Sequence, residues 1–209
     1  MQHDASARRS ATGRLIFLIG PSGSGKDSLI DAAREQLVAA GVEIARRVIT
    51  RSAEAKGEAA HGVTAEQFEA MRAQGAFAMH WRANGLDYGI PQQVDQWLAA
   101  GRPVLVNGSR AYLGEARQRY PDLLAVLIDV KPHVLRERLL ARGRETPEEI
   151  EQRLARNARL QAFDDPAVHV LDNSSTLDAA VIGLFKLLHD EGVIPSAAQP
   201  NAGPQKRIT

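Results

Sequence analysis

No cysteine occurs in the 209 residues of this chain, which excludes a disulfide framework, a thiolate metal site and thiol catalysis, and suits a reducing compartment. Charge of one sign is lacking too. Lys and Arg number 26 against 25 Asp and Glu, a net of +1, so there is no overall electrostatic footprint for nucleic acid or an anionic membrane, and any basic site must be local. No apolar run approaches the roughly 20 residues that span a bilayer, and the polar stretch 1–13 has no apolar segment of a secretory signal. Together these absences lead to the expectation of a soluble, cytoplasmic protein without nucleic-acid or membrane partners. The oligomeric state, a homodimer included, is left open. A hydrophobic fraction of 44% is ordinary for a globular chain and supports one sizeable core with at most an inserted subdomain.

What is present is concentrated between Gly20 and Asp27, which read GPSGSGKD. This stretch follows the apolar run Leu15 to Ile19 and precedes a segment in which Leu29, Ile30, Ala33 and Leu37 recur at helical spacing. A phosphate-cradling loop of pattern GxxxxGK[ST] needs this context. Its glycines let several backbone N–H groups converge on one anion, the lysine adds a full charge, and the helix N-terminus points its dipole at the same place. A Gly-rich turn after a strand can be only a turn, but here the glycine separation, the lysine and both flanking elements agree. Gly20, Pro21, Ser22, Gly23, Ser24, Gly25, Lys26, Asp27 and Ser28 are therefore the expected nucleotide-binding residues. The pattern departs at one letter. Asp27 replaces the hydroxyl that ordinarily ligates the Mg²⁺ of a nucleoside triphosphate. A carboxylate is itself a hard oxygen ligand, so Asp27 is the expected metal residue. Ser28 points about 100° away on the helix and is a poor substitute.

Around the loop, strands are expected at 14–19, 44–49, 103–107, 123–130 and 167–171, and helices at 26–40, 91–100, 109–119, 132–141, 147–163 and 176–190. This alternation predicts an α/β fold, a parallel sheet with helices on both faces. The unbroken apolar runs LIFLI, PVLV and LLAVLIDV suit strands covered on both sides. Region 50–90 differs. A helix from Thr64 to Ala73, and an Asn84-Gly85 turn between strands 77–83 and 86–90, mark an inserted α+β lobe. The ends 1–13 and 195–209 read as disordered tails on a single domain at 14–194.

The order GPSGSGK, ITR at 49–51, GE at 57–58, the EQF helix start, GLDYG at 85–89, LRERLLARGR at 135–144 and RL at 153–154 resembles the guanylate kinase superfamily over residues 14–190. Within it, the GKDSL, ANGLDYGI and VLVNGSR segments resemble the ribose 1,5-bisphosphate phosphokinases. These convert ribose 1,5-bisphosphate and ATP to 5-phosphoribosyl diphosphate (PRPP) and ADP in phosphonate catabolism. The resemblance implies a three-layer P-loop NTPase fold with a parallel sheet, an acceptor-binding lobe at 50–90 and an arginine-rich lid at 142–148. ATP and Mg²⁺ are the cofactors it implies.

The resemblance also assigns roles. Arg51 and Tyr88 would hold an acceptor phosphate, and Arg142 and Arg153 would close over the moving phosphoryl beside Lys26. Asn173 would line the adenine pocket. Departures from guanylate kinase matter here. Ala53, Glu54 and Lys56 stand where those enzymes carry a second arginine, and the tyrosine after GE is missing. Met79 or His80 replaces the guanine-reading glutamate, and LVNG with Asn107 replaces an acidic strand end. Guanine presents N–H donors that an acid must accept, and a site built for such bonds can discriminate by about 10⁴-fold. GMP is thus a poor candidate acceptor.

What remains near the lobe is basic and polar: Arg47, Arg51, Lys56, His61, His80, Arg82, Asn107, Ser109 and Arg110. Such a set suits a compact sugar bisphosphate. Arg51 and Arg110 lie just beyond expected strand ends, where open α/β sheets bind ligands, although isolated arginines often only solvate a surface. Arg51, Tyr88, Asn107, Ser109 and Arg110 are the expected acceptor residues. Charged helices also solvate themselves, and Glu149 four residues before Arg153 could form an ordinary surface pair. Asp27 and Asn107 further suggest that the negative charge near Mg²⁺ has moved from the strand end to the loop, with Asp129 as a competing ligand. A guanylate kinase, or a non-catalytic guanylate-kinase-like module, are the alternative readings.

Overall fold

The computed structural model describes residues 13–51, 60–143, 145–161 and 165–195. Element order is β1 Leu15–Ile19, α1 Lys26–Ala39, β2 Glu43–Ile44, β3 Arg47–Thr50, β4 Ala60–Val63, α2 Ala65–Ala73, β5 Phe77–Ala83 and β6 Leu86–Pro91. It continues with α3 Gln93–Ala99, β7 Val104–Asn107, a 3-10 turn Arg110–Tyr112, α4 Leu113–Arg119, β8 Leu124–Asp129, α5 Pro132–Arg142, α6 Pro147–Gln161, β9 Val168–Asp172 and α7 Leu177–Asp190.

The core sheet has the order β2-β7-β1-β8-β9, and its strand pairs are parallel. All five residues of β1 are buried. Alternation along that strand divides the interior in two. Ile16 and Leu18 pack on one face with Leu29, Ala33 and Leu37 of α1 and Leu184 and Leu188 of α7. Leu15, Phe17 and Ile19 pack on the other with Val94 and Leu98 of α3 and Leu113 and Ala116 of α4. Helix, sheet and helix form the three layers expected from the alternating pattern. Helices α5 and α6, which flank the expected lid at 142–148, stand on a small separate cluster of Val130, Leu135, Leu139 and Ile150.

A second sheet, β4-β3-β6-β5, forms the inserted lobe. Its β5–β6 hairpin turns at Asn84 and Gly85, with φ of 51° and 76°, the positive pair that an Asn-Gly turn supplies. Thr64 caps α2 reciprocally with Gln67.

The expected helix 109–119 opens as the 3-10 turn and is α-helical only from Leu113, and two further differences concern the limits of the core and the lobe. The single strand at 44–49 is two strands: β2 pairs with β7 at the core edge, whereas β3 pairs with β4 and β6 in the lobe. Apolar residues stand on both sides of the Arg46–Arg47 pair, which marks the point where the chain crosses from one sheet to the other. The lobe therefore begins at Arg47 rather than 50. At the start, Gly13 is docked rather than part of a tail, its N–H donating to the Leu98 carbonyl at 2.7 Å. Of the expected tails 1–13 and 195–209, residues 1–12 and 196–209 lie outside the described residues, as do Ala53, Glu54, Lys56 and Arg144. Among the described residues, no helix is long and apolar enough to cross a membrane.

Candidate active site

Gly25 ends the loop in a left-handed conformation, φ 88°, and caps α1. A side chain there would be strained twice, since a Cβ would also fall 2.6 Å from Asn173 Nδ2. Asn173, 2% exposed, donates that Nδ2 to the Ser24 carbonyl at 2.7 Å. It braces the loop from behind. Lys26 lies over the loop, donating to the carbonyls of Gly20 at 2.8 Å and Pro21 at 3.1 Å. The ammonium is thereby fixed at the mouth of a cleft of about 540 Å³.

The loop contributes Gly20, Pro21, Ser22, Gly23, Gly25, Lys26, Asp27 and Ser28 to this cleft, and the lid contributes Arg142, Arg153 and Asn157. The lobe supplies Arg47, Trp81, Ala83, Asn84 and Tyr88, and the end of β7 supplies Asn107 to Ala111. Five cations, Lys26, Arg47, Arg110, Arg142 and Arg153, thus face the single carboxylate of Asp27 in the described lining. Burial pushes the Arg110 guanidinium below its ordinary value, yet an arginine stays charged. Tyr88 stacks on Trp81, with centroids 5.7 Å apart and planes 7° from parallel, and Trp81 meets Tyr112 at 5.4 Å. The lobe side of the cleft is an aromatic wall edged by arginines.

Asp27 sits where loop and lobe meet. Its Oδ1 accepts from Asn107 Nδ2 at 2.6 Å and from an Arg47 guanidinium nitrogen at 3.3 Å. An ionised carboxylate only accepts, so the Asn107 amide must turn its nitrogen to Asp27. Its own Oδ1 is left buried without a hydrogen-bond partner. A carboxylate and an unsatisfied amide oxygen on adjacent side chains fit a hard cation that takes one or two protein oxygens and otherwise binds phosphates and water. Asp129, the competing ligand, does not line the cleft.

Several expected residues lie elsewhere. Ser24 is fully buried and its N–H is held by the Pro21 carbonyl at 3.1 Å, so it shapes the loop instead of facing a nucleotide. Asn173 likewise braces the loop and does not line the cleft. Arg51 stands just past β3, outside the lining. The Glu149–Arg153 pair does not form. Glu149 Oε2 accepts from the Thr146 N–H at 2.8 Å, and the Thr146 hydroxyl accepts from the Glu149 N–H at 3.3 Å, a reciprocal cap at the start of α6. Arg153 pairs with Glu145 instead, at 2.5 Å.

Tyr88, Asn107, Ser109, Arg110, Arg142 and Arg153 do line the cleft. Neither Met79, which is buried, nor His80, which is exposed, reaches it. Alternation along β5 turns Trp81 and Ala83 inward, so the position that could read an acceptor holds an indole. Sequence reasoning missed Trp81, Asn157 and Arg138, and named Arg47 only within the basic set that suits a bisphosphate, not among the expected acceptor residues. Helical spacing offered a signal for two of them, since Asn157 lies one turn after Arg153 and Arg138 one turn before Arg142. Arg138 brings a buried guanidinium nitrogen without a hydrogen-bond partner close to Gly25.

A strand feeding a phosphate loop, a parallel sheet behind it and arginines from a helical lid in front define a P-loop phosphotransferase of guanylate-kinase-like architecture. The guanylate kinase family model matches residues 12–191. Ribose 1,5-bisphosphate phosphokinase PhnN of Pseudomonas paraeruginosa is 64% identical over 85% of this chain and 96% of its own. That of Azotobacter vinelandii is 62% identical over 84% and 96%, and that of Thiobacillus denitrificans 48% over 85% and 94%. The solved guanylate kinase of Anaplasma phagocytophilum shares the fold, with a TM-score of 0.59 at 18% identity and 87% of both chains covered. The chain belongs to the guanylate kinase family, in its ribose 1,5-bisphosphate phosphokinase branch.

Proposed function

We propose that this protein transfers the terminal phosphoryl group of ATP to the 1-phosphate of ribose 1,5-bisphosphate, giving 5-phospho-α-D-ribose 1-diphosphate and ADP. The observation that carries this reading is the charge of the cleft. Its one described carboxylate belongs to the loop and is already held by Asn107 and Arg47, so no acid remains in the described lining to accept from guanine N–H groups. An indole and arginines occupy the acceptor side.

The chemistry needs no general base. A phosphate monoester is largely dianionic near neutral pH, its second pKa being about 6. One of its oxygens attacks the terminal phosphorus, a P–O bond forms, and the bond to the bridging oxygen breaks, leaving its electron pair on ADP. Two anions must approach, so positioning and charge neutralisation supply the catalysis. Lys26 and the amides of the loop hold the β and γ phosphates, with Arg142 and Arg153 over the equatorial oxygens of the moving group. Tyr88, Ser109 and Arg110 orient the acceptor. Asp27, with the Asn107 amide oxygen beside it, would hold Mg²⁺. When bound, the ion neutralises charge on the β and γ phosphates.

Coupled detection of ADP with ribose 1,5-bisphosphate, with GMP and without acceptor tests the reading. ADP formation only with ribose 1,5-bisphosphate is expected. Formation only with GMP overturns it, and none with either acceptor favours a non-catalytic module.

A further inference from the structure

Arg47 is a buried cation at the junction of loop and lobe. It begins β3, is 9% exposed and lines both the main cleft and a neighbouring hollow of about 260 Å³. Asp27 and Tyr88 both contact its guanidinium. Asp27 Oδ1 lies 3.3 Å from one nitrogen, longer than the 2.7–2.9 Å typical of a tight charge-assisted bond. The Tyr88 ring lies beneath it, 5.5 Å from its central carbon to the ring centroid, and Tyr88 is itself stacked on Trp81. A buried arginine stays charged, and its planar fork presents five donors suited to a phosphate. Asp27 shares the same oxygen with Asn107, so its charge is divided between two donors.

Taking as given that the acceptor is a sugar bisphosphate, we infer that Arg47 binds its distal phosphate, the one that does not react, and sets the preference for a bisphosphate over a monophosphate acceptor. The argument is one of charge placement. Lys26, Arg142 and Arg153 come from the loop and lid, where the transferred group lies. Arg47 and Arg110 come from the lobe and the β7 end, so they meet the acceptor. An acceptor with anions at both ends needs cations at two separate places, with an apolar face for the ring between them. Trp81 and Tyr88 supply that face, and Arg47 stands at its edge. Asp27 is then a positioning residue for the acceptor site as well as a loop residue, joining the two halves of the cleft through one contact.

The test compares the full-length wild type with Arg47→Gln and Arg47→Lys, using ribose 1,5-bisphosphate as substrate and ribose 5-phosphate, which carries only the distal phosphate, as a competitive inhibitor. For Arg47→Gln, the bisphosphate KM and the ribose 5-phosphate inhibition constant should both rise about 100-fold, while the KM for ATP stays within about threefold. Arg47→Lys keeps the charge without the fork and should fall between. An unchanged inhibition constant overturns the inference even if the KM rises, because Arg47 would then serve only the reacting phosphate. A fall in kcat with both constants unchanged overturns it too, placing Arg47 behind Asp27 alone. A wild type that makes no ADP with the bisphosphate defeats the proposed function itself, and is told apart because it appears before any substitution.

Discussion

The loop and the lobe build opposite sides of one cleft by different means. The loop is contiguous: eight of the residues from Gly20 to Ser28 line the cleft, and its shape follows from glycine conformations and a helix start. The lobe is assembled. Arg47, Trp81 and Tyr88 come from three strands whose pairing, Ile49 opposite Tyr88 and Trp81 opposite Tyr88, brings them together. The loop handles the group common to every nucleotide kinase, so its local sequence is constrained. In the proposed function the lobe handles the acceptor, with side chains drawn from separate strands.

If this division holds, substitutions on the loop side should act on turnover and those in the lobe on acceptor affinity. Lys26→Ala should have the largest effect, lowering kcat by about 10³-fold with the melting temperature nearly unchanged, as read by ADP release and calorimetry. A drop confined to KM would break the comparison. Arg153→Ala should lower kcat by about 10²-fold, and single-turnover measurement would locate the loss in the chemical step. Trp81→Leu should raise the acceptor KM about tenfold and leave the KM for ATP unchanged. An equal change in both would mean that the aromatic wall supports the whole cleft.

The smallest effect sharpens the comparison at its seam. Asp27→Ser should weaken divalent binding about tenfold in the presence of a non-hydrolysable ATP analogue, read by Mn²⁺ paramagnetic resonance, and Asn107→Asp added to it should restore binding. Unaltered Mn²⁺ affinity in Asp27→Ser would show that its carboxylate serves Asn107 and Arg47 only.

Legibility in the sequence followed the same division. Glycine spacing, the lysine and the flanking strand and helix identified the loop, and the arginines 142 and 153 were visible from the charged lid segment. The strand at 44–49 was misread because apolar residues flank Arg46 and Arg47 on both sides, and the pair was read inside one strand although the chain changes sheets there. Asn173 was assigned to the nucleotide because it follows the last core strand. That position is correct, but its side chain turns to the Ser24 carbonyl, 149 residues away in sequence. Trp81 went unnoticed because it was read within a strand whose inward residues depend on register.

By itself the sequence determined the phosphate loop and the alternating three-layer core. These are properties of neighbouring residues, of periodicity and of composition, and they act over a few turns of chain. Only the tertiary structure decided which cations face the cleft, that Asp27 meets Asn107 across 80 residues, and that Arg47 rests on Tyr88 beside it. A side chain's partner across a sheet is set by strand pairing and by the packing of distant elements, and no local pattern encodes that choice.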